Sequence, residues 1–280
     1  MKFDSNRAWL EAMAAVSANR QVLLPVAGVF FMLPTLLSTV FLTGVQTQLL
    51  QALGKPEMVQ RIMADHTGLF LGFGLGGLLV QGAGYLAIMA LLSERGRLTV
   101  GQAIVAALRA LPTLVAAVLL TVLGIVAASL VLALLIGSLF ALIVGTGAAS
   151  AIVAVAMMVA MIYVSIKLSL VVPVVVNEGI TNPLAALVRS WRLTRHNSLR
   201  LFGFFVLLMI AYIAIAFMVT IVLVAPLALL VGEGRALTLF TGVVSGVIAA
   251  VSGVILTAVL AYTHRQLAAP SADTVNQTFE

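Results

Sequence analysis

The chain of 280 residues contains no cysteine. Disulfides, iron–sulfur clusters and cysteine-ligated zinc are thereby excluded. Charge is almost as scarce. Asp, Glu, Lys and Arg make up 9% of the residues, against about 25% in an ordinary soluble domain. The histidines are His66, His196 and His264, and their spacing matches no metal-ligand pattern. The 9 carboxylates all lie outside the hydrophobic runs. A buried lysine–carboxylate relay therefore has no acidic member, which argues against proton-coupled transport. Neither G-x-S-x-G nor a phosphate-binding P-loop is present. These absences argue against an enzyme, and no cofactor or metal is expected. Runs of strictly alternating polarity are also missing, which argues against a membrane β-barrel.

What is present is apolar. Hydrophobic residues make up 62% of the chain and the mean hydropathy is +1.21. Several uninterrupted runs exceed the roughly 20 residues needed to cross a bilayer. In lipid every backbone polar group must bond internally, so these runs must be helices. The expected fold is an all-α polytopic membrane protein. Its six spans are placed at about Val22–Thr43, Gly68–Leu92, Pro112–Val144, Ala151–Val176, Leu201–Val231 and Leu237–Tyr262. The first run has no small-residue cleavage site after it and reads as a retained span. Pro34 is expected to kink it. Gly145–Ser150 is the expected turn between the third and fourth spans. A polar connection, Gly44–Thr67, is expected to hold two short helices flanking Gly54-Lys55-Pro56.

The net charge is +6. The cations lie between the apolar runs, so they orient the chain in lipid and do not point to nucleic acid. With both termini in the cytoplasm, the inner segments carry eleven Lys and Arg residues and the outer loops only Lys55, Arg61 and Arg235. The expected location is a bacterial inner (plasma) membrane, crossed several times, with both termini cytoplasmic. Ser93–Leu98, with Glu94, Arg95 and Arg97, reads as an inner loop. Residues 1–265 form one membrane domain, and 266–280 read as a disordered cytoplasmic tail.

Three stretches repeat an apolar stripe at i, i+3, i+4, i+7. They start at Trp9, Val100 and Leu184, and each precedes a span. This suggests three cytoplasmic interfacial helices and a threefold pseudo-repeat over about 4–92, 98–176 and 181–262. Thr99 to Gln102 reads as a capping box, and Asn182 as a cap ahead of Pro183. Gly68, Gly72 and Gly76 recur every four residues with Gly84 near the same face, and Gly242 and Gly246 form a second such pair. Both patterns predict close helix packing in lipid. The stretch Gly72–Gly77 also fits G-x-G-x-x-G, but no strand precedes it, so a dinucleotide site is rejected.

The most informative stretch is 166–205. It contains an ionisable Lys167 inside a span, Pro173, an exit at Asn177-Glu178-Gly179, and then a basic amphipathic segment. Pro173 is expected to break the fourth span. On a straight helix Lys167 lies roughly 13 Å from the cytoplasmic end, where a charge costs about 2.5–3.5 kcal/mol. Three readings stand open. Lys167 snorkels to the headgroups, or bonds carbonyls or hydroxyls in the bundle such as Ser169 and the carbonyl freed by Pro173, or lines a polar pathway or lipid-headgroup site. Glu178 is too far along a straight helix to pair with it. Arg189, Arg192, Arg195 and Arg200, with His196, either hold a phosphate headgroup or acidic partner, or form a solvated face. Trp191 reads as an interface anchor. Lys167, Pro173, Glu178, Arg189, Ser190, Trp191, Arg192 and Arg195 are the candidate polar or lipid site.

Lys167, Pro173, Glu178, Gly179, Ala185, Ala186, Arg189, Ser190, Trp191, Leu193 and Thr194 together resemble the membrane domain of glycerophosphoryl diester phosphodiesterases and its stand-alone bacterial inner-membrane relatives. The likeness covers some forty residues. The family often has arginine where this chain has Lys167, and Asn177 here separates the exit glutamate from the apolar run. The resemblance implies a membrane module and not the hydrolase, because the family's separate catalytic barrel has no counterpart in these 280 residues. The expected function is a non-enzymatic module that organises lipid or protein partners at the envelope. The alternative is a transporter or lipid-handling protein with a cavity near Lys167. The expected partners are the bilayer, including anionic phospholipid headgroups, and other membrane proteins.

Overall fold

A computed structural model describes residues 2–93, 98–138, 140, 143, 145–232 and 234–269. The charged part of the expected loop, 94–97, and the final residues, 270–280, lie outside the described residues, as does Glu233 in the turn before the last span.

The described residues form helices, with no strand among them. Six helices are long and apolar enough to cross a membrane. In chain order, α1 is Ser5–Gln51, α2 is Pro56–Asp65, α3 is Thr67–Leu91 and α4 is Val100–Leu135. Then follow α5 (Thr146–Leu168), α6 (Val171–Asn177) and α7 (Pro183–Thr194). The last two are α8 (Ser198–Val231) and α9 (Arg235–Ala268). Together α5 and α6 make the fourth candidate span.

Two of the three expected interfacial helices are not separate elements. The stripe at Trp9 is the first part of α1, and that at Val100 is the first part of α4. Nothing in either sequence ends the helix there. Pro25 and Pro112 lie inside continuous helices. Only the third amphipathic segment stands alone, as α7, because the chain turns at Arg195–Asn197 before α8. The buried face includes Ala12, Ala103 and Ala107 of the expected stripes, and departs from the stripe in α7. It carries small residues four apart: Ala8 and Ala12, Ala103 and Ala107, Ala186 and Ser190. Small residues let helix backbones approach, so the bulky residues of α7 (Leu184, Val188, Trp191) turn outward.

Proline shapes the long helices. A proline removes one N–H and crowds the carbonyl four residues earlier. Pro34 and Pro226 crowd Phe30 and Val222, and each of those carbonyls lies in a wide π turn, Gly28–Met32 and Thr220–Val224. A third π turn, Ala133–Gly137, has no such cause in the sequence.

The packing centre is α9, which contacts α1 along much of its length and also α3, α6, α7 and α8. Half of its most apolar stretch is buried, whereas those of α4 and α8 have no buried residue. The seam between α9 and α1 is built on glycine. A Cβ on Gly246 would come 2.9 Å from the Met32 carbonyl oxygen, and one on Gly253 would come 2.8 Å from the Phe31 ring. On α3, a Cβ on Gly84 would lie 2.5 Å from the Phe30 Cβ. The π turn of α1 is thus wedged between α3 and α9. Gly242 is in ordinary contact with Leu36 and Thr39.

Of the other expected glycine set, only Gly84 is closely packed within the chain. A Cβ on Gly68, Gly72 or Gly76 would meet nothing within 4 Å. These residues lie in the first half of α3, where the helix surface is largely exposed; its second half, from Gly82, is the buried one. The spacing permits close approach, but α1 meets this half of α3 through Phe41 and Phe73, whose ring centroids are 5.8 Å apart, and not through the glycines.

Both described ends of the chain lie on one face, together with α7. The Phe3 N–H donates to Asn197 Oδ1 at 2.9 Å, and the Asp4 N–H donates to Gln266 Oε1 at 3.1 Å. Phe3 also packs on Phe204, with ring centroids 5.5 Å apart.

Candidate functional site

The fourth span breaks, but not at Pro173. Helix α5 ends at Leu168 and α6 begins at Val171, so Pro173 sits in the first turn of α6. The first-turn amides of a helix have no partner inside it, so the missing N–H costs nothing there. The break falls at Ser169–Leu170 because the proline ring excludes the carbonyl four residues before it, that of Ser169.

This moves Lys167. It lies in the last turn of α5, beside the negative end of the helix dipole. Helix α5 has 23 residues, about 34 Å at 1.5 Å per residue, enough to cross the hydrocarbon core alone. Lys167 is therefore at the edge of that core and not deep within it. It is only 2% exposed. Its Nζ lies over the rings of Tyr163 at 5.3 Å and Trp191 at 5.5 Å, and the two rings meet edge to face. Cation–π contact substitutes for the missing carboxylate. The expected ammonium contacts with Ser169 and the carbonyl freed by Pro173 are not made; the Ser169 hydroxyl donates to the Ile166 carbonyl.

Breaking a helix exposes backbone groups, and here helix α7 supplies their partners. The Ser190 hydroxyl donates to the Lys167 carbonyl at 2.8 Å and accepts the Leu170 N–H at 3.2 Å. The Thr194 hydroxyl reaches the same carbonyl at 3.4 Å. At the other end of α7, Asn182 accepts the N–H groups of Leu184 and Ala185, as its sequence position implied. Thr113 of α4 donates to the Thr181 carbonyl at 2.9 Å and holds the loop before it.

Glu178 completes the arrangement. Its carboxylate accepts from Arg189 Nε at 2.8 and 3.1 Å and from His264 Nε2 at 3.0 Å. A carboxylate can only accept, so Nε2 carries the hydrogen. The link ties the end of α6, the middle of α7 and the end of α9. Partial burial would push the Glu178 carboxyl up, but the hydrogen bonds and charge of Arg189 and His264 outweigh it and hold the carboxyl below its ordinary value.

His264 corrects the expected tail. Helix α9 continues through Ala268, so residues 266–268 are helical and His264 is buried. No local signal marked it, because the apolar run stops at Tyr262. Asn197 and Gly253 were missed for the same reason: their partners are far away in sequence. Arg189 is ion-paired with Glu178 while its side chain stays 40% exposed, so this arginine has its acidic partner within the chain. Arg192 and Arg195 are exposed, with no carboxylate within 4 Å among the described residues. Trp191 is 39% exposed and borders an open groove with Leu168, Leu187, Val188, Arg192 and Arg195.

Chemically, the Glu178–His264 pair is half of an acid–base device. Among the described residues no hydroxyl bonds His264, and no three His, Asp or Glu side chains converge. The arrangement is a clasp holding α7 across a broken helix. Comparison with family models, curated proteins and solved structures returned no match. The fold and the clasp define the class: an all-α, multi-pass membrane protein with a helix docked against one end of its bundle.

Replacing Lys167 by Met keeps the side-chain length and removes a buried charge that has no anionic partner. Lys167→Met is expected to leave thermal stability unchanged or to raise it by up to about 1 kcal/mol. Lys167→Ala, which leaves a void under Trp191, is expected to lose about 2 kcal/mol. Thermal unfolding in detergent checks both, and a Lys167→Met protein melting well below wild type would show that the ammonium itself holds the site together.

Proposed function

We propose that the chain is a non-enzymatic module of a bacterial inner membrane, with both termini cytoplasmic, that presents α7 as a fixed platform for lipid or protein partners. One observation carries this reading. The polar side chains of the Arg189–Thr194 segment that point inward are all engaged in holding α7, on Glu178 and on the open backbone at Lys167. None of them is left over for a substrate. The outward residues of the same helix, Leu184, Val188, Trp191 and Arg192, are exposed. The shared face of the two chain ends and α7 accords with the eleven-to-three distribution of cations. The resemblance to the membrane domain of glycerophosphoryl diester phosphodiesterases supports the same reading, and the clasp gives those matching residues a physical task.

The test is complementation of cells lacking the chromosomal copy, with membrane levels measured. A Ser190→Ala, Thr194→Val protein frees α7 and is expected to accumulate yet complement poorly, whereas Lys167→Met complements fully. The purified protein is expected to hydrolyse no glycerophosphodiester. Hydrolysis would overturn the non-enzymatic reading. The reverse complementation pattern, with Lys167→Met inactive and the clasp variant active, would favour the transporter or lipid-handling alternative.

A further inference from the structure

We propose that the groove between the end of α5 and helix α7 binds an anionic phospholipid of the bilayer. Its phosphate lies between Arg192 and Arg195, and its glycerol and first methylenes lie against Leu168, Leu187 and Val188. The proposal rests on the platform reading above and names the platform's ligand.

Charge is the first argument. The neighbouring arginines have different fates. Arg189 is turned inward onto Glu178 at 2.8 Å. Arg192 and Arg195, also spaced three residues apart, have no carboxylate within 4 Å among the described residues, and both line the groove. Two guanidiniums on one rim suit a phosphodiester, whose oxygens accept forked N–H pairs.

Depth is the second. Leu168 is the last residue of α5, whose length of about 34 Å matches the hydrocarbon core with little to spare. The floor of the groove therefore lies where hydrocarbon gives way to headgroups, the level of a lipid phosphate. Trp191, exposed on the same wall, is the residue type that anchors at that depth.

Shape is the third. The groove encloses about 490 Å³, is open on one side, and combines an apolar floor with a cationic rim. That division fits an amphiphile better than a free anion, which would leave Leu168, Leu187 and Val188 unused. A second groove on this face, at Lys2, Phe204, Leu207 and Arg200, includes Asp4 in its wall. The aspartate offsets one of its cations, so that groove serves as the control.

The two tryptophans, Trp9 and Trp191, make a direct test possible. In a Trp9→Phe background the emission reports on Trp191 alone. The full chain is reconstituted in vesicles containing brominated phosphatidylglycerol or brominated phosphatidylcholine, and the relative binding constant is read from quenching. The anionic lipid is expected to be preferred about fivefold at low salt, falling as salt rises. Arg192→Gln with Arg195→Gln should bring the ratio to about one, while Lys2→Gln with Arg200→Gln should leave it unchanged. If the double variant fails to accumulate, each single variant should still lower the preference by about half.

Equal quenching by the two lipids in the parent protein would overturn the proposal. So would a preference that survives both arginine substitutions. Relief of quenching by millimolar glycerol 3-phosphate would assign the rim to a soluble phosphate and not to a lipid. Any of these results would remove the lipid site while leaving the clasp-dependent complementation untouched, so the two readings fail separately.

Discussion

Gly246→Val is expected to lose about 2–3 kcal/mol or more, and to reduce the amount of protein in the membrane. The reason is geometric. A Cβ at this position would stand 2.9 Å from the Met32 carbonyl oxygen and 3.4 Å from its Cα. Both are backbone atoms and cannot rotate aside as a side-chain end could. They belong to the π turn of α1, which is already held on its other side by Gly84 of α3. The helices would have to separate, and separation forfeits dispersion contacts along the seam with no hydrophobic gain, since lipid is as apolar as the core. Gly72→Val on α3 is the matched control. Nothing lies within 4 Å of its Cβ position, so its expected cost is no more than about 0.5 kcal/mol. Unfolding in increasing denaturing detergent compares the two. Equal stability of Gly246→Val and Gly72→Val would refute the glycine seam.

Glu178→Ala is expected to cost about 2–3 kcal/mol at neutral pH. It leaves two donors without their acceptor. The side chain of His264 is 6% exposed and cannot turn to water, whereas that of Arg189 is 40% exposed and can. Most of the loss therefore arises at His264, and the Arg189 part is screened by solvent.

The pH dependence follows from the direction of the Glu178 shift. Its carboxyl titrates below the ordinary glutamate value of 4.5 in the folded chain. Its contribution is therefore complete above about pH 4.5 and is lost as pH falls through the folded value. The gap in melting temperature between wild type and Glu178→Gln should persist above that point and close on acidification below it. A gap that stays constant from neutral to acid pH would show that the carboxylate charge plays no part in holding α7 to α9.

Much of the secondary structure was legible in the sequence because it depends on neighbours. The apolar runs exceed a bilayer's thickness, so six long helices follow from length and backbone hydrogen bonding alone. Asn182 before Pro183, and Thr99 three residues before Gln102, mark helix starts through contacts within one turn, and both caps form. The basic, amphipathic character of α7 was legible too. Helix continuity was less so, since an apolar stripe followed by a span looks the same whether or not the chain turns between them. Thus α1 and α4 run on where separate interfacial helices were expected. The position of the break in the fourth span was misplaced at Pro173, because a proline acts on the carbonyl four residues before it.

The sequence by itself determined that this is a membrane protein, that its spans are helices, and that cations gather on one side. Each of these depends on composition or on residues within one turn of each other. Only the tertiary structure decided which glycines pack, that Lys167 sits beside Tyr163 and Trp191, and that Glu178, besides pairing with Arg189, meets His264 across 86 residues of chain. Spacing of four residues places Gly72 and Gly246 in the same local pattern, but a close contact needs a second helix opposite, and α1 lies against only one of them. A buried charge or an open carbonyl likewise specifies that a partner is needed, and the packing of distant helices decides which partner it receives.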